Sequence, residues 1–157
     1  MIKQTETGME EQTMNKAEAF KLMNENPGFF LATCEDGQPR VRGMMLYRAD
    51  EAGILFHTGK GKDVYRQIMK NPKTEICFND LKNFVQLRVT GAFEPVDDNA
   101  LKDEIAEHPT RGYVKAWREG GVFKDFYADF IVFRMRGGQA TVWTMEKNFA
   151  PKETIDL

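Results

Sequence analysis

The stretch QPRVRGMMLYRADEAGILFHTGKGKDVYRQIMKNP, residues 38–72, decides how the rest of the chain is read. It divides into a strand over 41–47, a turn at Ala49-Asp50-Glu51-Ala52-Gly53, and a second strand over 54–58. Beyond Gly59 and Gly61 the spacing predicts a helix over 62–70, with Val64, Ile68 and Tyr65 facing inward and Asn71-Pro72 ending it. Two cations, Arg40 and Arg42, stand on the first strand, and two more, Lys60 and Lys62, in the turn before the helix. Folding the hairpin can bring both pairs to one end, beside a helix N-terminus whose free N–H groups attract a phosphate. A solvated basic hairpin is the competing reading of the same charges.

Upstream, residues 29–34 (FFLATC) read as a strand joined to the first by a tight turn at Glu35-Asp36-Gly37-Gln38. Three strands with such short links make an antiparallel meander, because a parallel crossover needs a longer connection. Before them, Thr13 is placed to cap a helix reaching about residue 26, with Met14, Ala17, Phe20 and Met23 recurring at threes. Residues 1–12 read as a loose polar lead-in.

Downstream, residues 74–78 and 84–93 are expected strands. The second alternates Val85, Leu87 and Val89 against Gln86, Arg88 and Thr90, with Gly91 marking a bulge or a close backbone approach. Asp97-Asp98 can cap a helix to about Glu107, with Leu101 and Ile105 on one side. Tyr113, Val114 and Trp117 fit a short helix broken at Gly120-Gly121, and residues 110–128 are otherwise left unassigned. Residues 129–135 and 140–145 read as a last hairpin across Arg136-Gly137-Gly138-Gln139, followed by a tail irregular until Ile155. Seven strands and three or four helices, without repeat or linker, predict one mainly β domain over 1–157: an antiparallel barrel with helices plugging its gaps.

The totals narrow the chemistry. With 157 residues, 41% of them apolar, the chain can bury one core. A net charge of −2 argues against a nucleic-acid partner. Cys34 and Cys77 sit in apolar stretches with no CxxC spacing and read as free thiols of a reducing, cytoplasmic setting. The polar start shows no signal peptide, and no apolar run approaches the roughly 20 residues of a membrane span. Two distant histidines, His57 and His108, give no metal spacing. The chain contains no serine, which removes serine nucleophiles, and neither GxGxxG with its ribose acid nor GxxxxGK[ST] occurs. A dyad of Cys34 or Cys77 with His57 stays open, although cysteines on buried strands are usually structural. An enzyme built from these residues would draw its reactivity from a cofactor. Phe84, Trp117, Phe126, Trp143 and Phe149 can wall a flat pocket or simply pack, with Trp143 the best placed for partial exposure.

The run over residues 26–78, from NPGFFLATC to KTEICF, resembles the pyridoxamine 5'-phosphate oxidase-like, FMN-binding split-barrel family. VQLRVTGAFE is similar to the family's later strand, which enters the partner subunit's flavin site, and ATVWTME to small general stress or nitroimidazole-reductase-like members. The resemblance covers roughly residues 16 to 145. It implies a six- to seven-stranded antiparallel split barrel, FMN as cofactor, and a homodimer with flavin sites at the subunit interface. By the same resemblance Arg42 faces the phosphate, Gly43, Met44 and Met45 meet the isoalloxazine ring through their backbone, and Thr58 follows His57 at the next strand end. Lys60 and Lys62 fall in the phosphate turn, Lys62 in place of a serine and Asp63 where a cation is common. Gln86 reaches the flavin edge from the other subunit, and Arg40 and Trp143 complete the cofactor-binding set.

The departures concern the substrate half. The lysine for a substrate phosphate falls on Tyr47, the tyrosine and arginine of the following helix near Glu104 and His108, and the C-terminal motif on Arg134 and Thr144. Each lost charged hydrogen bond removes roughly 1.5–3 kcal/mol, so vitamin B6 oxidation is not expected. The expectation is a dimeric FMN oxidoreductase working between a small-molecule electron donor and acceptor, with no nucleic-acid, membrane or metal partner and no catalytic residue named. The alternative is a non-catalytic stress-response module binding flavin, deazaflavin or haem, with His57 keeping haem open.

Overall fold

The meander read around residues 38–72 forms, and the chain is built onto it. The computed structural model describes residues 13–157, and the expected lead-in over 1–12 lies outside them. β1 (Gly28–Glu35), β2 (Gln38–Asp50) and β3 (Gly53–Gly59) pair antiparallel in sequence order. Asp36 and Gly37 close the first turn at positive φ, 52° and 80°, the hand that matches strand twist in a two-residue hairpin. Gly53 closes the second at φ 128°, where an added Cβ would stand 2.7 Å from the Met135 carbonyl oxygen. Gly53→Ala is therefore expected to cost about 2 kcal/mol through strain and crowding, read as a lower denaturation midpoint at unchanged m-value.

α1 (Lys16–Glu25) precedes the meander, and α2 (Asp63–Lys70), β4 (Lys73–Asp80) and β5 (Val85–Val96) follow it. Next come α3 (Asn99–Glu107), a 3-10 turn (Pro109–Arg111), α4 (Gly112–Glu119) and α5 (Phe126–Asp129). β6 (Phe130–Met135), β7 (Gln139–Thr144) and β8 (Glu153–Asp156) complete the chain. The ring β1-β2-β3-β6-β5-β4 closes through the β1–β4 pairing, and β7 and β8 extend outward from β5. This is the expected antiparallel split barrel, with six strands in the closed ring and two outside it.

Four local expectations are corrected. Asn15, not Thr13, caps α1: its side chain accepts from the Glu18 N–H at 2.9 Å while Glu18 Oε2 accepts from the Asn15 N–H at 2.8 Å. The buried face is Ala19, Leu22 and Met23, the i, i+3, i+4 pattern of a 3.6-residue turn, and Ala17 is exposed. The hairpin expected between β6 and β7 does not form, because β3 and β5 already occupy both edges of β6. Instead β6 and β7 run one after the other along the same edge of β5, from Val96↔Val132 to Phe93↔Met135 and then from Thr90↔Gln139 to Val85↔Thr144. Between those registers Gly91 and Ala92 face three residues, Arg136 to Gly138, so the bulge lies on the opposite strand. Gly91 supplies the close approach: an added Cβ would meet Met135 Sδ at 2.5 Å. The tail is also more regular than expected, since β8 pairs with β7 and Ile155 and Leu157 pack on the core.

The barrel interior is aromatic. Phe56 lies at its centre, touching Phe29 at 5.9 Å, Phe93 at 4.8 Å and Phe133 at 5.5 Å between ring centroids. α2 adds Val64, Gln67 and Ile68 to the buried set. β3 is buried on both faces: Ile54 and Phe56 look into the barrel, while Leu55 looks outward to a second cluster. There Ile105, Ala106, Val114 and Phe126 of α3 to α5 cover Leu55, Phe130 and Val132. The unassigned residues 110–128 are thus an arm of short helices laid across β3 and β6.

Candidate functional site

The two strand cations and the start of α2 do meet. Arg42 stands opposite Leu31, and its Nη1 donates to the Leu31 carbonyl at 3.2 Å and to Thr33 Oγ1 at 2.9 Å. Its Nη2 donates to Gln67 Oε1, which also accepts from Thr33 Oγ1 at 2.7 Å. Arg42 therefore fastens β1, β2 and α2 together. Burial lowers its pKa, Asp63 opposes that shift, and Arg40 adds to it. Asp63, in the first turn of α2, is held below the usual carboxylate range by a hydrogen bond and charge from Arg66, with Arg40 and Arg42 contributing. The acid expected to disturb a phosphate is thus taken up by Arg66, one turn along, at 2.7 Å.

Lys62 occupies the cap position of α2 without capping it by a side-chain hydrogen bond. Lys60 and Lys62 are exposed, and among the described residues neither ammonium group enters an ion pair. On β2, nothing lies within 4 Å of where a Gly43 Cβ would be. Met44 turns toward the core, while Met45 is 47% exposed on the outer face with Val41 and Phe30.

Gln86 and Trp143 do not join this group within one chain. β1 and β4 stand between β2 and β5, three strand spacings or ~14 Å. The two residues face each other across β5 and β7 and line a separate cavity of about 670 Å³ with Leu81, Phe84 and Met145. Gln86 Nε2 donates to Asn79 Oδ1 at 3.0 Å, and Trp143 Nε1 donates to Asn148 Oδ1 at 2.8 Å.

His57 and Thr58, at the end of β3, line a second cavity shared with the helical arm. His57 Nε2 accepts from Arg111 Nε at 3.2 Å, with the Tyr113 hydroxyl at 3.4 Å. Burial, and then the Arg111 charge, push the imidazole pKa down to about 4. The ring is neutral with its proton on Nδ1, and it turns Nε2 to a guanidinium instead of presenting it to a haem iron. The unfolded chain takes up this proton near 6.5 and the native chain only near 4. Stability should therefore fall as pH drops from 6.5 toward 4 and gain nothing from this group above 6.5. Acid titration of unfolding should show that loss in the native sequence and a flatter profile in His57→Gln.

Sequence reasoning missed Arg111, Thr33 and Gln67. Arg111 is 7% exposed; its Nη2 donates to the Leu46 carbonyl at 2.5 Å, where the β2–β3 register slips between Leu46 and Arg48. Nothing in Pro-Thr-Arg-Gly signals that role. Gln67 was findable, since i, i+3, i+4 from Val64 places it with Ile68 on the buried face of α2.

The corner where the resemblance places a substrate-phosphate lysine is closed. The Tyr47 hydroxyl donates to Glu104 Oε1 at 2.7 Å, and Arg48 Nη1 to the same oxygen at 3.2 Å. Burial, and then the Glu104 hydrogen bond, raise the Tyr47 pKa to about 12. With the Tyr47 hydroxyl and the Arg48 guanidinium both turned to Glu104, neither is left to hold a phosphate. Arg134 is likewise engaged, with Glu94 at 3.2 Å.

Known proteins share this fold. A sequence profile of pyridoxamine 5'-phosphate oxidase matches residues 16–136. The chain is 30% identical over 104 residues to a pyridoxine/pyridoxamine 5'-phosphate oxidase of Bradyrhizobium sp. (strain BTAi1 / ATCC BAA-1182), covering 66% of this chain and 46% of that protein. It thus spans about half the length of the curated relatives it matches. Among solved structures, a NimC/NimA family protein from Clostridium acetobutylicum superposes with a TM-score of 0.70 at 24% identity, covering 90% of this chain and 92% of that one. A pyridoxamine 5'-phosphate oxidase-related, FMN binding protein from Nostoc punctiforme gives a TM-score of 0.61 at 17% identity, with coverages of 88% and 85%. Split barrel, register and profile agree: the chain belongs to the pyridoxamine 5'-phosphate oxidase family.

Proposed function

We propose that this chain is an FMN-binding flavoprotein, working as a cytoplasmic homodimer, that passes electrons or hydride from a small-molecule donor to a small-molecule acceptor other than a B6 phosphate. One observation carries it: Arg40, Arg42 and the N-terminus of α2, which has no side-chain cap, converge beside Lys60 and Lys62, which enter no ion pair among the described residues. A phosphate dianion suits that pole, because helix N–H groups and two ammonium groups lie beside it, and Arg66 offsets the charge of Asp63. The fold shared with an FMN-binding protein supports the same reading.

FMN would supply the redox chemistry, and the chain's own residues do the holding. Lys60, Lys62 and Arg40 would bind the phosphate. Arg42, spent on Thr33 and Gln67, keeps α2 at its angle to β2 and adds positive field. Gly43 leaves room for a flat ring to lie against the strand, between the backbones of Met44 and Met45, with Thr58 at the far end. Gln86 and Trp143, too distant in their own chain, would come from a second copy. Exposed Phe30 (54%), Val41 (70%) and Met45 on one sheet face support such an interface. The Tyr47–Glu104 corner turns phosphorylated pyridines away.

The test is a visible spectrum of the purified protein, an FMN titration and sedimentation of the loaded form. Saturable one-to-one uptake per chain in a dimer is expected. A colourless protein that takes up no added FMN would end the proposal.

A further inference from the structure

Next to the phosphate pole, and sharing Lys62 and Thr58 with its surroundings, the helical arm builds a second feature. Five rings form a closed circuit, with centroids 6.2 Å apart for His57–Tyr113, 5.0 Å for Tyr113–Trp117 and 6.4 Å for Trp117–Phe123. Phe123–Phe130 at 6.0 Å and Phe130–His57 at 5.0 Å complete it. The three contacts running from Tyr113 to Phe130 are edge-to-face, at 67°, 76° and 70°, so the rings stand as walls instead of stacking into a plug. They bound a cavity of about 450 Å³, a volume suited to a small-molecule ligand. Tyr113 and Trp117 remain 41% exposed and Val122, on the rim, 63%.

Charge selects the guest. An aromatic cage ordinarily takes a cation, helped by carboxylates. Here no Asp or Glu lines the cavity, Lys62 stands in its wall, and the Arg111 guanidinium backs His57. The neutral imidazole adds a polar edge without charge.

We propose that this circuit of rings is a subsite for a flat, uncharged aromatic molecule. As the seat of the electron acceptor it rests on the flavoprotein reading, whereas binding itself does not. The same chemistry could come from a free acceptor or from the flavin's own ring, and competition separates the two.

The experiment is calorimetric titration of quinoxaline, N-methylquinolinium and naphthalene-1-sulfonate into FMN-free and FMN-loaded protein. Quinoxaline is expected to bind tightest, and Trp117→Ala to weaken it about tenfold or more through loss of one wall. Val122→Glu, at an exposed position, should shift preference toward N-methylquinolinium. Quinoxaline bound together with FMN identifies an acceptor seat, while mutual exclusion identifies the flavin ring as the guest. Absence of quinoxaline binding to both forms, equal affinity in Trp117→Ala, or tighter binding of N-methylquinolinium or naphthalene-1-sulfonate to the native protein overturns the proposal. Quinoxaline binding that persists where FMN uptake fails removes the flavoprotein reading and leaves the subsite.

Discussion

Lys62→Glu is expected to weaken FMN binding by roughly 100-fold or more, which corresponds to one charge-assisted hydrogen bond lost and a repulsion added. Lys62 stands exposed at the start of α2 and caps nothing, so the fold should be untouched. Riboflavin has the same ring system without the phosphate and serves as the control. Fluorescence titration should show riboflavin affinity unchanged while FMN affinity collapses. Equal losses for both would mean that Lys62 does not contact the phosphate.

Phe56→Ala should be the most damaging single change in the barrel, costing about 3–5 kcal/mol. Phe56 is fully buried and meets three other rings, and they cannot collapse into the space because all three belong to different strands of a closed ring. Since domains of this size are usually stable by only about 5–15 kcal/mol, the variant should melt far earlier or fail to accumulate. A cost below about 1 kcal/mol by chemical denaturation would show that the interior tolerates a void.

The meander, α2 and the alternation of β5 were legible because each is written locally: turn residues, a period of two, a Pro after the helix. The meeting of Arg40 and Arg42 with α2 was legible too, since a hairpin and a short helix leave few ways to arrange four cations. Pairing between β6 and β7 was misread because the Gly-Gly link imitates a hairpin turn, and nothing local reveals that β3 and β5 already hold both edges of β6. Arg111 was invisible for the same reason. Its acceptors are Leu46 and His57, more than fifty residues away, and a lone arginine after a proline carries no sign of burial. The five aromatics that the sequence offered as one flat pocket are dispersed: Trp117 lines the helical-arm cavity, Phe84 and Trp143 line another, Phe126 packs in the core and Phe149 is exposed, because only the tertiary fold decides which rings meet.

The division of β5 between two partners along one edge also sets an order of assembly. Through Val96 a growing chain can complete β1 to β5, but it leaves the second edge of β3 and the outer edge of β5 unpaired. The strand that joins them is β6, whose pairing of His57 with Val132 spans 75 residues and waits for the whole helical arm to be made. Because β7 follows β6 directly along β5, ring closure and growth of the outer sheet are consecutive strokes of one zipper. Until β6 arrives, the nascent chain carries two open strand edges, and the charged face of β5 at Arg88, Glu94 and the adjoining Pro95 is what guards the longer of them against other chains.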